Sequence, residues 1–330
     1  MTKTYDLVGI GNAVVDVITQ CDDQFLGNMG IEKGIMQLIE QDRGETLYAA
    51  MSERVQTPGG AVANTIAGGG ALGLQTAFIG RVNDDALGHF YADAMQDQGT
   101  DFVNAPVKNG EAATSRSMIF VTPDGERSMN TYLGISTGLT SHDVPQAVSG
   151  NAKLMFLEGY LFDHDAGKTA FREAARATRA GGGLAGIAIS DPFCVERHRA
   201  DFLSLIKNDL DYVIGNHHEI MSLFETDDLE AALSKTTDIC ANVVCTRSGD
   251  GVTLIREGER VDVAVQSVTP VDATGAGDQF AAGFLYGMST GADLETCGRM
   301  GNLCAGEVIS HIGPRPQKDM LAAFKAEGLI

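Results

Sequence analysis

The chain has 330 residues, of which 44% are hydrophobic and 21% charged, a composition that indicates a globular protein rather than a disordered one. Asp and Glu outnumber Lys and Arg by 44 to 24, and the resulting formal charge of −20 argues against a surface that follows nucleic-acid phosphates. Since the start of the chain lacks a signal-peptide pattern and no segment approaches the roughly eighteen apolar residues of a membrane span, we expect a cytoplasmic protein that binds neither nucleic acid nor membranes.

Apolar segments of strand length alternate with helical patterns along most of the chain, which is typical of an α/β fold with a largely parallel sheet. Strands of this sheet are predicted at 6–10, 76–79, 153–157, 184–189, 211–214 and 242–246. Helices are predicted at 61–72, 86–97, 168–179, 276–288 and 294–309.

Two segments, 13–39 and 109–133, interrupt this alternation. Both mix β-branched and polar residues, and the second contains a turn at Pro123, Asp124 and Gly125. We expect them to pair into one small sheet that forms a lid over the edge of the main domain. The predicted core then consists of 1–12, 40–108 and 134–330.

Two glycine patterns resemble nucleotide-binding motifs but lack residues that those motifs require. The Gly-Ile-Gly run at 9–11 begins like a dinucleotide fingerprint, but Val14 occupies the third glycine position and no helix follows. The Gly-Lys-Thr run at 167–169 matches the end of a P-loop, but Phe162 stands where its first glycine is required. We interpret neither run as a phosphate site.

A third glycine pattern, from Asp272 to Asp278, follows a strand-like stretch and begins an apolar helix. Its small residues leave the backbone N–H groups of Gly275, Ala276 and Gly277 uncovered, and the helix dipole adds positive potential there. Such an anion hole can hold a transferring phosphoryl group while Asp278 removes a proton from the attacking hydroxyl. A capped helix with a glycine-rich turn explains the spacing equally well.

The pair Gly59 and Gly60 precedes another predicted helix. Without Cβ atoms these residues let a ligand lie against the backbone, and Asn64 would point toward the same place from the first helical turn. Helix capping is the alternative interpretation of this pattern.

Asn216 and Glu219 follow a predicted strand at the start of a further helix. An amide and a carboxylate there can orient Mg²⁺ through water, because Mg²⁺ keeps much of its hydration when it bridges phosphates. The same two residues also fit a capping box, and the sequence does not decide between the two interpretations.

Together these segments resemble the signatures of the ribokinase-like family of carbohydrate and nucleoside kinases over essentially the whole chain. The first signature is matched by 59–64 and 80–88, and the second, which is more specific, by 272–278 and the helix beyond it. The resemblance implies a central, mostly parallel sheet flanked by helices, with a small β lid. It also implies transfer of the γ-phosphate of ATP to a hydroxymethyl group.

The resemblance implies a role for each matching residue. Asp278 would be the catalytic base, with Gly275, Ala276 and Gly277 as the anion hole. The residues implied in substrate binding are Asn12, Asp16, Gly59, Gly60, Asn64, Arg127 and Tyr160. Those implied in nucleotide binding are Asn216, Thr246, Arg247, Gly249, Gly251 and Asn302. Glu219 would hold Mg²⁺ through water, and many members bind a monovalent cation such as K⁺ where this chain has Asp272 and Thr274.

Within the family, segments 22–34 and 122–130 are more similar to adenosine kinases than to ribokinases. This similarity implies phosphorylation of the 5′-hydroxyl of adenosine, with Met36, Leu38, Leu133 and Tyr160 as candidates to surround the purine. Ala61 departs from animal-type adenosine kinases, many of which have a serine there, and so removes one hydroxyl contact.

Other functions compete with this interpretation. The nearest is a kinase of ribose, fructose or another nucleoside. A catalytically silent nucleoside-binding module is disfavoured by the intact Asp278 and anion-hole sequence, and a nicotinamide-dependent dehydrogenase is disfavoured by Val14. Because the lid of related sugar kinases can join two subunits whereas adenosine kinases are often monomers, both a monomer and a homodimer stay open.

Overall fold

The computed structural model describes residues 3–330, which form fourteen β-strands and twelve α-helices. The strands are β1 (Tyr5–Ile10), β2 (Val14–Gln20), β3 (Met36–Leu38), β4 (Val55–Gly59), β5 (Thr76–Ile79), β6 (Thr100–Phe102), β7 (Ser115–Val121), β8 (Arg127–Tyr132), β9 (Ala152–Glu158), β10 (Leu184–Ala188), β11 (Tyr212–Asn216), β12 (Asn242–Thr246), β13 (Val252–Arg256) and β14 (Glu259–Val263). The helices are α1 (Asp23–Met29), α2 (Gln41–Ala50), α3 (Ala61–Ala71), α4 (Ala86–Asp97), α5 (Gln146–Ser149), α6 (Asp165–Ala180), α7 (Pro192–Asp209), α8 (His217–Leu223), α9 (Leu229–Thr237), α10 (Ala276–Thr290), α11 (Leu294–Val308) and α12 (Met320–Ala326).

Nine strands form a central sheet in the order β14-β13-β12-β11-β10-β9-β1-β5-β6. The seven strands from β12 to β6 are parallel, and β13 and β14 extend the sheet as an antiparallel hairpin. Every predicted strand and helix is present, with bounds within three residues of those predicted. The expected fold class, a mostly parallel sheet flanked by helices, is therefore confirmed.

Successive side chains of each strand point to opposite faces of the central sheet, so apolar residues lie on both faces. Helices cover both of these faces. On β1, Leu7 belongs to an apolar cluster with Ile66 of α3 and Phe284 of α10. Its neighbour Val8 belongs to a second cluster that contains Phe171 of α6. Burying a side chain of this size stabilises the fold by about 1.5–3 kcal/mol. In residues 3–330 no helix combines the length and apolarity needed to cross a bilayer.

A second sheet has five strands in the order β3-β8-β7-β2-β4. Strand β2 comes from the predicted segment 13–39 and pairs in parallel with β7 from the predicted segment 109–133. One face of this sheet is covered by α1 and α2, since Leu26 and Leu47 cluster there with Val17 and Phe120.

The bounds predicted for this small sheet need correction. Strand β4, which the sequence analysis placed in the core segment 40–108, pairs in antiparallel fashion with β2 at an edge of the small sheet. Pro58 made this segment look unlike a strand in the sequence. Proline cannot donate a hydrogen bond to a neighbouring strand and is tolerated only at sheet edges, which is where β4 lies. Helix α2 also contacts the small sheet, through β7 and β8. The segment from 41 to 59 therefore belongs with the small sheet.

Candidate active site

Polar side chains collect at the carboxyl ends of the parallel strands, which is where open α/β sheets bind ligands. A cavity of about 170 Å³ lies at this edge, between the strand ends and the start of α10. Its lining includes Tyr160 after β9, Asn216 at the end of β11, Glu219, Thr246 at the end of β12, Gly277 and Asp278. Residues predicted separately for catalysis, metal binding and nucleotide binding thus share one cavity.

The start of α10 has the geometry of an anion site. Gly275 caps the helix in the left-handed region with φ 79°, a conformation that glycine adopts readily. In the described part of the chain, the N–H groups of Gly275 and Gly277 have no acceptor, whereas that of Ala276 donates to the carbonyl of Ala273 at 3.2 Å. Two of the three predicted donors are open to a ligand, and Ala276 is already engaged.

Asp278 lies in the first turn of α10, and its Oδ2 accepts a hydrogen bond from Nδ2 of Asn64 at 3.0 Å. Burial raises the pKa of the Asp278 carboxyl to about 7, and the negative charges of Glu158 and Asp16 act in the same direction. The Asn64 bond and the positive charge of Arg315 oppose this increase. A base whose pKa lies near the working pH is both available and strong enough to accept a proton.

The glycine pair connects β4 to α3 close to Asp278. Gly60 has φ 102°, and a Cβ atom there would stand 2.3 Å from the carbonyl oxygen of Asn12. At Gly59 a Cβ atom would stand 2.5 Å from the carboxyl carbon of Asp16, so the Asp16 side chain lies directly across this glycine. Burial raises the pKa of Asp16 to about 6, and Arg127 and Arg315 oppose the increase. The carboxyl group of Asp16 is thus held beside the predicted acceptor position.

Asn12, which the resemblance implies in substrate binding, forms hydrogen bonds within the chain. Its backbone N–H and its Nδ2 both donate to Oε1 of Glu158, at 3.2 and 2.8 Å, and its Oδ1 accepts from the hydroxyl of Ser136 at 2.9 Å. Glu158 also accepts from the N–H of Val62 at 3.1 Å. Asn12 is 3% exposed, and through Glu158 its contacts connect the end of β1 to β9 and α3.

Arg127 of β8 reaches across from the small sheet and forms an ion pair with Asp272, just ahead of the anion site. Asp272 also accepts from the N–H groups of Thr274 and Gly313, each at 3.0 Å. Protein donors therefore already contact both carboxylate oxygens of Asp272, where the resemblance implies a monovalent cation. Nε and Nη2 of Arg127 are buried and have no partner within 3–330, which leaves two donors for a ligand at this position.

Arg315 is a residue of this site that the sequence analysis did not predict. It follows α11 and donates from Nη2 to the carbonyl of Pro58 at 2.8 Å and from Nε to Oδ1 of Asn64 at 3.3 Å. The Gly-Pro-Arg-Pro stretch at 313–316 has no periodic pattern that would indicate a role for Arg315. The sequence shows only that this residue follows the two matched signatures.

The remaining predicted nucleotide residues lie in two places. Arg247, Gly249 and Gly251 belong to the connection from β12 to β13, where Arg247 pairs with Asp262 at 3.3 Å. Asn302 of α11 lies in a separate cleft of about 290 Å³, where it donates to the carbonyl of Ala264 at 3.1 Å. Of the predicted nucleotide residues, Asn216 and Thr246 share the cavity of Asp278.

Tyr160, one of the candidates for the purine site, follows β9 of the central sheet. It lines the cavity of Asp278, and its hydroxyl donates to the carbonyl of Ser190 at 3.3 Å. The candidates Met36 and Leu38 lie on β3 of the small sheet instead. The structure thus separates Tyr160 from these two residues.

The family of this chain follows from comparison with known proteins. Residues 31–319 match the profile of the pfkB family carbohydrate kinases. The chain belongs to the pfkB family. The resemblance to ribokinase-like kinases is thereby confirmed, and the protein is a phosphotransferase of this family.

This pfkB-family kinase is 30% identical to an uncharacterized sugar kinase of Archaeoglobus fulgidus over 74% of the chain and 95% of the relative. Among solved structures it is similar to a probable sugar kinase from Rhizobium etli, with 42% identity, a TM-score of 0.91 and full coverage of both chains. It is also similar to the adenosine kinase from Sinorhizobium meliloti, with 44% identity and a TM-score of 0.90, covering 98% of this chain and 99% of the other.

Asn216 and Glu219 of this pfkB-family kinase form the capping box that the sequence left open. Glu219 Oε2 accepts from the backbone N–H of Asn216 at 2.9 Å, its Oε1 accepts from Asn216 Nδ2 at 2.6 Å, and Asn216 Oδ1 accepts from the N–H of Glu219 at 3.0 Å. Burial raises the pKa of Glu219 to about 7. Helix capping therefore describes the contacts of this pair within the chain.

The donor set also fits a magnesium ion that is carried mainly by a nucleotide. Within 3–330 no group of three or more His, Cys, Asp or Glu side chains is arranged to hold a metal ion. Besides Asp278, the cavity is lined by a single carboxylate, that of Glu219. Mg²⁺ binds typically through one or two carboxylates, water and substrate phosphates, so this sparse set suits it.

Proposed function

We propose that this pfkB-family kinase transfers the γ-phosphate of ATP to the 5′-hydroxyl of adenosine. The observation that carries the choice of acceptor is an exposed apolar face of the small sheet, on the same side as Asp16. Similarity to the Sinorhizobium meliloti adenosine kinase supports the same choice.

The register of the small sheet defines this apolar face. On β2, Ile18 follows Asp16 by two residues and so shares its side of the sheet. Ile18 lies opposite Val55 on β4 and Ile119 on β7. Across the other strands, Ile119 lies opposite Met129, and Met129 opposite Met36. These residues therefore form one apolar stripe on the side of Asp16.

Three side chains of this face are unusually exposed for their size: Met36 at 49%, Leu38 at 57% and Val55 at 62%. A purine is a flat, largely apolar plate, and pockets for such ligands are lined mainly by apolar side chains with a few polar groups. The base would lie on this stripe, while Asp16, Gly59 and Gly60 would hold the ribose hydroxyls. The apolar face thus supports a nucleoside over a free sugar.

The proposed reaction uses the side chains around Asp278. Ionised Asp278 accepts the proton of the acceptor hydroxyl as that oxygen bonds to the γ-phosphorus and the bond to the β-phosphate oxygen breaks, releasing ADP. The open N–H groups of Gly275 and Gly277 would stabilise the charge on the moving phosphoryl group. Mg²⁺, when bound with ATP, would neutralise phosphate charge near Glu219. A K⁺ ion at Asp272 and Thr274 would have to displace the Arg127 pair.

Closing the small sheet over the cavity would exclude water, so that the phosphoryl group reaches the acceptor and not solvent. Arg127 supports this role for the small sheet, because it already connects β8 to Asp272. We propose that the small sheet acts as a lid in this sense, with 41–59 as part of it.

The acceptor is tested by coupled ADP release with purified protein, ATP and Mg²⁺ across adenosine, guanosine, inosine, ribose and fructose. We expect adenosine to exceed ribose in kcat/KM by at least about a hundredfold, equivalent to about 2.7 kcal/mol of transition-state stabilisation. The base contributes to rate as well as affinity, because remote binding energy helps align the hydroxyl.

A control for this panel uses neighbouring residues of β3. Leu38→Ala should lower kcat/KM for adenosine about tenfold, as expected for losing most of an apolar side-chain contact, and leave ribose unaffected. Ile35, which is 40% exposed, precedes β3 with the opposite side-chain direction, so Ile35→Ala should change neither value. A free sugar or another nucleoside leading the panel would refute adenosine as the acceptor.

A sugar acceptor is the second candidate. It is favoured by the Archaeoglobus fulgidus relative and the Rhizobium etli structure, both named as sugar kinases. The chemistry at Asp278 is the same for either acceptor.

Glu219 is proposed to orient Mg²⁺ through water in addition to capping α8. Glu219→Gln should keep the cap, since glutamine also fits a capping box, but should raise the Mg²⁺ concentration needed for half-maximal rate by about tenfold. The measurement is a Mg²⁺ titration of the rate at saturating ATP. Asp228, which caps α9 away from the cavity, provides the control Asp228→Asn. A Glu219→Gln titration curve that overlays the wild-type curve would leave capping as the function of this residue.

A further inference from the structure

Arg315 occupies an unusual position, because the coil that carries it follows α11 yet bonds to the starts of two other helices. Its guanidinium donates to the carbonyl of Pro58 before α3 and to the side chain of Asn64 within α3. Gln279 of α10, which is fully buried, donates from Nε2 to the carbonyls of Asn64 and Pro314, each at 3.0 Å. The coil that carries Arg315 is thus fixed against both α3 and α10.

The hydrogen bonds from Arg315 determine how the Asn64 amide is oriented. A guanidinium can only donate, so the Asn64 atom that it contacts at 3.3 Å must be the carbonyl oxygen Oδ1. The amino group Nδ2 then faces Asp278, which it contacts at 3.0 Å. If the amide were rotated by 180°, an oxygen would face the carboxylate and an amino group would face the guanidinium. Both contacts would then be repulsive.

Arg315 is also the positive charge that acts on Asp278. The other groups that influence this carboxylate are Glu158 from β9 and Asp16 from β2, both of which favour its protonated form. Tyr160 lines the same cavity, and burial raises the pKa of its hydroxyl above its usual value, so it stays neutral. Arg315 is therefore the cation that offsets two nearby carboxylates.

We propose that Arg315 is a positioning residue that orients Asn64 and, through it, holds Asp278 ionised and directed at the acceptor hydroxyl. The proposal rests on the proposed kinase function, in which Asp278 is the base. It requires no direct contact between Arg315 and the acceptor.

The first test is the pH dependence of kcat in Arg315→Met, which keeps the length of the side chain but removes its charge and its donors. With one carboxylate-facing cation lost, the acidic limb of the profile should move upward by about one pH unit. At pH 7 kcat should fall about fivefold, because Asp278 is then mostly protonated, and it should largely recover at pH 9. Arg315→Lys, which keeps the charge without the two-pronged donor, should show a reduced kcat with little displacement of the limb.

The matched control is Arg199→Met. Arg199 has a similar set of contacts, to the carbonyl of Ser222 at 3.0 Å and to Glu225 at 3.1 Å, but lies outside the cavity of Asp278. Its loss should leave the pH profile unchanged. Circular dichroism and the melting temperature establish that each variant is folded.

A second test does not depend on activity. In protein labelled with ¹³C at the aspartate carboxyl carbons, the Asp278 signal is identified by its absence in Asp278→Asn and titrated by NMR without substrate. Its pKa should be higher in Arg315→Met than in wild type by about one unit. Folded Arg315→Met with a wild-type titration would overturn the proposal. If the titration moves but no acceptor is phosphorylated, the proposed kinase function fails while the effect of Arg315 on Asp278 stands.

Discussion

Replacing Asp278 by asparagine is expected to lower kcat by about 100- to 10,000-fold, the usual cost of losing a general base. Asparagine keeps the shape of the side chain and can still accept a hydrogen bond from Asn64, but it cannot take the proton of the acceptor hydroxyl. Substrate KM should change little. The measurement is steady-state ADP release at saturating ATP, with equilibrium binding of the acceptor determined separately.

The pH dependence of the wild-type enzyme adds a second part to this expectation. Since the pKa of Asp278 is raised to about 7, kcat should decrease as the pH falls through 7 and the base becomes protonated. The residual activity of Asp278→Asn should lack this limb. A near-normal kcat in Asp278→Asn would contradict the assignment of Asp278 as the base.

Thermal stability distinguishes lost chemistry from lost folding. The pKa of Asp278 is about 7 in the folded protein against the ordinary value of 3.8, so folded chains hold this proton more tightly than unfolded ones. Stability from this group is therefore lost as the pH rises from about 4 to 7 and stays lost above 7. Asp278→Asn should accordingly melt at or above the wild-type temperature at pH 8, with a smaller difference at pH 5.

Gly275→Ala is expected to lower kcat by about 100- to 1,000-fold, which is the usual cost of removing one donor that stabilises transition-state charge. Its Cβ would lie 2.6 Å from the Cα atom of Pro314, a distance that non-bonded atoms cannot keep. The turn before α10 must then shift, and with it the open N–H groups of Gly275 and Gly277. The rate at saturating substrates is the quantity to measure.

Gly291 supplies the control for this substitution. It ends α10 with φ 80°, nearly the same as the 79° of Gly275, but a Cβ atom there would have no heavy atom within 4 Å. Gly291→Ala should therefore share the left-handed backbone cost of about 1–2 kcal/mol and leave kcat unchanged. Equal losses of rate in the two variants would mean that the anion site does not depend on the position of this turn.

The sequence predicted those parts of the fold and site that depend on local pattern. The parallel strands are continuous apolar runs, and Asn64 and Asp278 stand in the first turns of their helices, so spacing alone locates them. Strand β4 was missed because Pro58 interrupts its strand character. The hairpin of β13 and β14 was also missed. Its Glu257-Gly258 turn has positive φ at both positions, 50° and 88°, as two-residue hairpins often do.

Residues whose function depends on distant contacts could not be predicted in the same way. Arg315 reaches Asn64 across 251 residues of sequence, and Arg127 reaches Asp272 across 145. No periodicity relates such positions, because tertiary packing alone brings them together. The contacts of Asn12 depend on tertiary packing in the same way, since its side chain bonds to Glu158 and Ser136, which are distant in sequence.

The strand order of the small sheet has a consequence for how the chain folds. The pair of β2 and β7 joins Val14 to Ser115, which are about a hundred residues apart along the chain. Strands β5 and β6 of the central sheet lie between these two residues in the sequence. Closing so long a loop is entropically unfavourable until the intervening segments are compact, and pairing between distant strands is correspondingly slow. The pairing of β2 with β7 should therefore follow more local pairings, such as that of β5 with β6, whose partners Thr76 and Thr100 are 24 residues apart. During synthesis β2 leaves the ribosome before β7 has been made, so one edge of β2 is unpaired. Until β7 pairs with it, the apolar residues Val15 and Val17 can associate with other chains.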